Sequence, residues 1–200
     1  MGNEGFGGWS SGKTTKDKNS LTKRRLIAVL KWLVYSIIMI LSYVLMVTPG
    51  FLTGGYSRPM LLIPLTVCIS MFEGEFAGGL FAAAAGIFWD TGSDAFMGFH
   101  ALILFVCCIG CGLLIQLLLK KRMLSAFLLC AAVSVIYSGL YFFFYFGIWP
   151  HSGAVLARLF LWDFVPIIIY TFLCTPLYFY LVRFIYRKIR PRSDESPWEN

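Results

Sequence analysis

Charge is what this chain has least of. Asp, Glu, Lys and Arg together make up 14% of its 200 residues, against 58% hydrophobic, and the mean hydropathy is +0.75. A soluble domain carries about 25% charged residues. So little polar surface cannot keep the chain in water, and its solvent is lipid. Sequence signatures of hydrolytic and metal chemistry are missing too: there is no HExxH pair, no nucleophile elbow and no second ligand cluster. Cys108 and Cys111 form a CxxC, but no second pair and no histidine at ligand spacing joins them, which excludes zinc. Cys68, Cys107, Cys108, Cys111, Cys130 and Cys174 stand among Val, Phe, Ile, Gly and Leu and read as small buried hydrophobes. No metal and no cofactor are expected.

Two patterns near the N-terminus lack their context. Gly7 to Thr14 matches the phosphate-loop spacing GxxxxGK[ST], but that motif needs a preceding strand and a following helix to aim its amides at phosphates. A polar, disordered tail is the better reading. Met1 and Gly2 open a myristoylation-like start in which Phe6 stands where Ser or Thr belongs. No small-residue cleavage pattern closes the first apolar run, so it is expected to remain as a helix.

What is there in abundance is apolar sequence of membrane length. Leu26 to Val47 makes one crossing, with Lys31 near its start where the stem can snorkel. Met60 to Met71 and Phe76 to Trp89 flank the polar FEGEFAGG (Phe72–Gly79) and read as a tight hairpin of two short spans or a re-entrant pair. Phe99–Leu119, Met123–Trp149 and Val155–Ile185 complete the set, the last interrupted by Pro166 and Pro176, each of which removes a backbone donor and predicts a kink. The fold class is therefore all-α: a polytopic six-helix bundle, with a disordered basic tail over 1–25, a six-span domain over 26–185 and a second tail over 186–200.

Basic residues orient it. Lys13, Lys16, Lys18, Lys23, Arg24 and Arg25 precede the first span, Lys120, Lys121 and Arg122 follow the fourth, and Arg183, Arg187, Lys188, Arg190 and Arg192 crowd the end of the sixth. Six crossings place all three clusters, and both termini, in the cytoplasm. The net charge of +7 is then an insertion and lipid-contact signal. Nucleic acid is not an expected partner, because the clusters are split around spans and no recognition element accompanies them.

The polar interior is sparse. Arg158 and Asp163 fall in the last apolar run, where a bare charge costs several kcal/mol. They are five residues apart, about 140° around a helix, so each is expected to look to another helix or to the outer interface. Asp90 and Asp94 end the third span around the turn residues Thr91, Gly92 and Ser93, and Gly98 and His100 open the fourth. A neutral imidazole at His100 can bond to Asp90 or Asp94 across that turn. Packing of the hairpin is the favoured use of this group, ahead of ligand or partner contact and of chemistry. Ala77 to Gly86 give the third span a smooth side, with Gly78/Ala82 and Gly79/Ala83 at small-xxx-small spacing, and Gly110 and Gly112 do the same for the fourth.

Arg58 to Val106 resembles the core of the MreD family of bacterial rod-shape-determining membrane proteins. Arg58 and Pro59 open a short span, Gly79 starts the small-residue run, Gly86 and Asp90 close it as G-x-x-x-D, and Met97 to Leu102 (MGFHAL) matches the turn into the next span. Met97 stands where the family usually has leucine, and the basic Gly/Ser-rich N-terminus is an extension the family does not predict. The resemblance implies a non-enzymatic protein of the bacterial inner membrane. It implies action with an MreC-like bitopic partner, near the MreB-like filament, a SEDS glycosyltransferase and a class B penicillin-binding protein. It also implies a fold similar to the substrate-binding subunits of energy-coupling-factor transporters, which makes a vitamin-capture subunit the alternative function. Candidate partner or ligand contacts are then Arg58, Pro59, Gly79, Gly86, Asp90, Asp94, Gly98, His100, Arg158 and Asp163.

Overall fold

Between Leu62 and Phe72 the polar side chains are the two hydroxyls of Thr66 and Ser70, and that stretch becomes the centre of the molecule. The computed structural model describes residues 11–48, 60–92, 97–119, 121–146 and 165–189. These form six helices: α1 (Ser11–Val47), α2 (Leu62–Glu73), α3 (Glu75–Thr91), α4 (Phe99–Leu117), α5 (Met123–Phe146) and α6 (Val165–Ile189). Every residue of α2 from Leu62 to Phe72 is buried, as expected for a helix that is apolar all round. All five other helices pack against it. Pro64 falls in its first turn, where the missing N–H has no intrahelical acceptor to serve. The Thr66 hydroxyl donates to the Leu62 and Ile63 carbonyls (2.8 and 3.1 Å), and Ser70 donates to the Cys108 carbonyl of α4 (2.5 Å). Its few polar atoms are thereby satisfied inside the bundle.

Among the described residues four helices are long and apolar enough to cross a membrane: Leu26–Val47, Phe99–Leu117, Met123–Phe144 and Ile169–Ile189. The other two, with 12 and 17 residues, span about 18 and 26 Å, short of a hydrocarbon core of about 30 Å. They form the expected short hairpin, and its turn is one residue, Gly74, at φ +100°. Only glycine takes that conformation freely. The expected disordered tail is helical from Ser11, because extending a helix already nucleated by the apolar span adds a hydrogen bond per residue without a new nucleus. α6 likewise runs on through Arg187 and Lys188 to Ile189. Within it Pro166 stands in the first described turn, and Pro176 is internal.

Glycines set how closely α2, α3 and α4 approach. A Cβ at Gly78 would overlap the Ser70 backbone of α2, one at Gly86 the Ala101 backbone of α4, and one at Gly112 the Glu75 backbone of α3. Gly79 meets a softer neighbour, the Ile109 side chain at 2.7 Å. Gly110, expected to pack like Gly112, faces open space. Cys68, Cys108, Cys111 and Cys130 are buried side chains of the shared core.

Candidate functional site: two polar clusters at opposite ends of the hairpin

Asp90 ends α3 and His100 begins α4, and the chain between them turns back through Gly98 at φ +92°. The Asp90 carboxylate accepts the Gly98 amide at 2.8 Å on one oxygen and the His100 amide at 3.1 Å on the other. Those amides are among the orphan donors of the α4 N-terminus, so a carboxylate on one helix caps the next. The same Oδ1 lies 2.6 Å from His100 Nδ1, which assigns the ring proton to Nδ1 as donor. Both side chains are almost wholly buried, with 3% and 2% of their surface exposed. A carboxylate so enclosed is tolerable only with its acceptors filled, and here they are.

Aromatic rings close over the pair. Trp89 stacks on His100 (4.9 Å, 29°) and on Tyr137 of α5 (5.1 Å, 23°), while His100 and Tyr137 are 5.7 Å apart. Phe99 meets the imidazole edge-on at 5.6 Å. The cluster ties α3, α4 and α5 together at one end of the bundle, and its interior is occupied by protein side chains.

At the other end, the Gly74 turn carries a carboxylate on each side. Glu73 receives Lys31 Nζ at 2.6 Å and the Tyr35 hydroxyl at 2.9 Å, both from α1. Glu75 accepts from the Gln116 amide of α4. Lys121 reaches the Phe72 carbonyl at 3.5 Å and lies over the Tyr186 ring of α6. Lys31 was expected to snorkel, but the structure pairs it with an acid of a different helix. Both partners are well shielded, at 18% and 7% exposed.

Of the sequence candidates, Gly86, Asp90, Gly98 and His100 come together in the first cluster. Gly79 packs on Ile109 of α4, about one turn from the Gly74 end of α3. Arg58, Pro59, Asp94, Arg158 and Asp163 lie outside the described residues. The choice left open for His100 falls to Asp90. The second cluster was missed as a site: Tyr35, Glu73, Glu75 and Gln116 were not among the candidates. Its signal was present in FEGEFAGG, two acids inside a membrane-length apolar region, where an ionisable side chain implies a partner. Among the described residues no three His, Cys, Asp or Glu side chains converge as a metal site would need.

No curated protein and no solved structure matches the chain. A family model described as rod shape-determining protein MreD matches residues 24–188. That range contains all of the hairpin and both of its polar clusters, and the chain belongs to the MreD family.

Proposed function

We propose that the protein is a non-catalytic membrane scaffold of the cell-shape and peptidoglycan elongation machinery, and that it binds an MreC-like bitopic membrane protein. The family match over residues 24–188 carries this reading. The first polar cluster supports it, because Asp90 bonds to the Gly98 amide and to the His100 ring across the α3–α4 turn and the rings of Trp89, Tyr137 and Phe99 pack around the imidazole. A vitamin-capture subunit needs an open cavity for its ligand. The membrane is the bacterial cytoplasmic membrane, with the end bearing Lys31, Lys121, Arg183, Arg187 and Lys188 on the cytoplasmic side, as the bias of basic residues favours. The MreB-like filament, SEDS glycosyltransferase and class B penicillin-binding protein complete the assembly.

The partner helix docks on the lipid-facing side of α4, where Gly110 leaves a notch between Val106, Leu113 and Leu114. Small residues admit a second backbone in this way. The test is affinity purification of the tagged protein from its own membranes in mild detergent, with mass spectrometry of proteins and small molecules. An MreC-like protein is expected in the eluate, reduced by Gly110→Leu. A stoichiometric vitamin with an ATPase pair would overturn the scaffold reading.

A further inference from the structure

Three cations sit within the last two turns of α6, and no described acid answers them. Arg183, Arg187 and Lys188 are exposed, and the ion pairs among the described residues are Lys31–Glu73 and Asp90–His100. Together with Tyr180 and Phe184 they line a groove of about 790 Å³. The cations lean on rings, with the Arg183 guanidinium 5.9 Å from Phe179 and the Lys188 ammonium 5.3 Å from Phe184. That arrangement holds their charge at the edge of an apolar surface.

The same face of α6 continues as an exposed apolar stripe. Leu173, Leu177, Tyr180 and Phe184 are 71%, 67%, 58% and 62% exposed and recur at intervals of four, three and four residues, so they lie in one row. Arg187 and Lys188 fall about 60° and 40° to either side of Phe184 at the end of that row. From Leu173 to Phe184 the stripe runs about 16 Å, close to half of the ~30 Å hydrocarbon core and thus to the depth of one leaflet.

We infer that this face of α6 is a binding site for one anionic phospholipid of the leaflet at the basic end. Arg187 and Lys188, to either side of Phe184, hold the phosphate, Arg183 adds its charge one turn below Arg187, and Phe184, Tyr180, Leu177 and Leu173 receive an acyl chain. A cationic crown alone would suit any phosphate. The stripe beneath it selects a phosphate that carries a chain. This site is independent of any protein partner and of the two polar clusters.

The test uses the full-length protein in mixed micelles containing dioleoyl phosphatidylglycerol and dioleoyl phosphatidylcholine, with bound lipid counted by native mass spectrometry. The wild type is expected to retain phosphatidylglycerol preferentially. R187Q alone should lower that preference about fivefold and R183Q/R187Q/K188Q much further, by about fivefold per cation. These side chains are exposed, so monodispersity on size exclusion should be unchanged, and R187Q serves if the triple variant aggregates. Phe184→Ser should weaken phosphatidylglycerol retention without changing the binding of glycerol phosphate. K23Q/R24Q/R25Q removes equal charge elsewhere and should leave the preference intact. An equal loss in that control would overturn the proposal in favour of general surface attraction. Displacement of the lipid by millimolar inorganic phosphate would overturn it in favour of a small-anion site.

Discussion

At the scale of single residues, Asp90 does three things with two oxygens: it caps α4 through two amides and fixes the His100 ring. Hydrogen bonds to charged groups contribute about 1.5–3 kcal/mol each, and their loss leaves buried donors unsatisfied. Asp90→Ala should therefore destabilise the protein by roughly 3 kcal/mol, read as a lowered unfolding midpoint by tryptophan fluorescence, with Trp89 itself reporting the loosened stack. Asp90→Asn keeps one acceptor and should cost less. A midpoint unchanged in Asp90→Ala would show that the turn holds without its carboxylate. The Asp90–His100 link was legible in the sequence because ten residues and a glycine turn separate the two. Lys31 and Glu73 are 42 residues apart, and nothing local in either segment announces the other.

At the scale of helices, the pairing of α3 with α4 depends on which small residues face inward. Runs such as GGLFAAAAG show that close packing is available but not which face takes it, because the angular position of the neighbour is set by the whole bundle. The structure chooses Gly86 and Gly112 and leaves Gly110 open. Gly86→Ala should be destabilising by at least the 1–3 kcal/mol typical of overpacking, since the obstacle is Ala101 backbone. Gly110→Ala, with nothing near its Cβ, should be neutral within about 0.5 kcal/mol. Equal midpoints for the two variants would contradict the described crossing. The Lys31–Glu73 pair gives a second test between elements. Lys31→Met or Glu73→Met alone leaves the other partner shielded and uncompensated, at a cost of about 2–3 kcal/mol. Lys31→Met with Glu73→Met should recover part of it, and simple additivity would show that the pair is not coupled.

At the scale of the molecule, four long helices and one short hairpin were legible as hydropathy with charged boundaries, because lipid permits few alternatives to a helix. The helical extension from Ser11 was not legible, since Gly, Ser and Lys suggest a coil when read without the adjoining span. The direction of the chain can be checked with reporters. Green fluorescent protein fused after residue 200 should fluoresce, and alkaline phosphatase inserted after residue 92 should be active, if the basic end is cytoplasmic. The reverse pattern would invert the bundle.

The central position of α2 bears on how the protein is made. It is the second of the described helices to leave the ribosome, 12 residues long and buried from Leu62 to Phe72, yet α5 and α6, which help to enclose it, begin 50 and 92 residues after its last residue. Until they arrive, α1, α3 and α4 cover only part of it, and its remaining neighbours are lipid or an insertase. Biogenesis is therefore committed late: a chain truncated before α6 has a core helix with an open flank, and membrane quality-control proteases gain a substrate that the finished protein never presents.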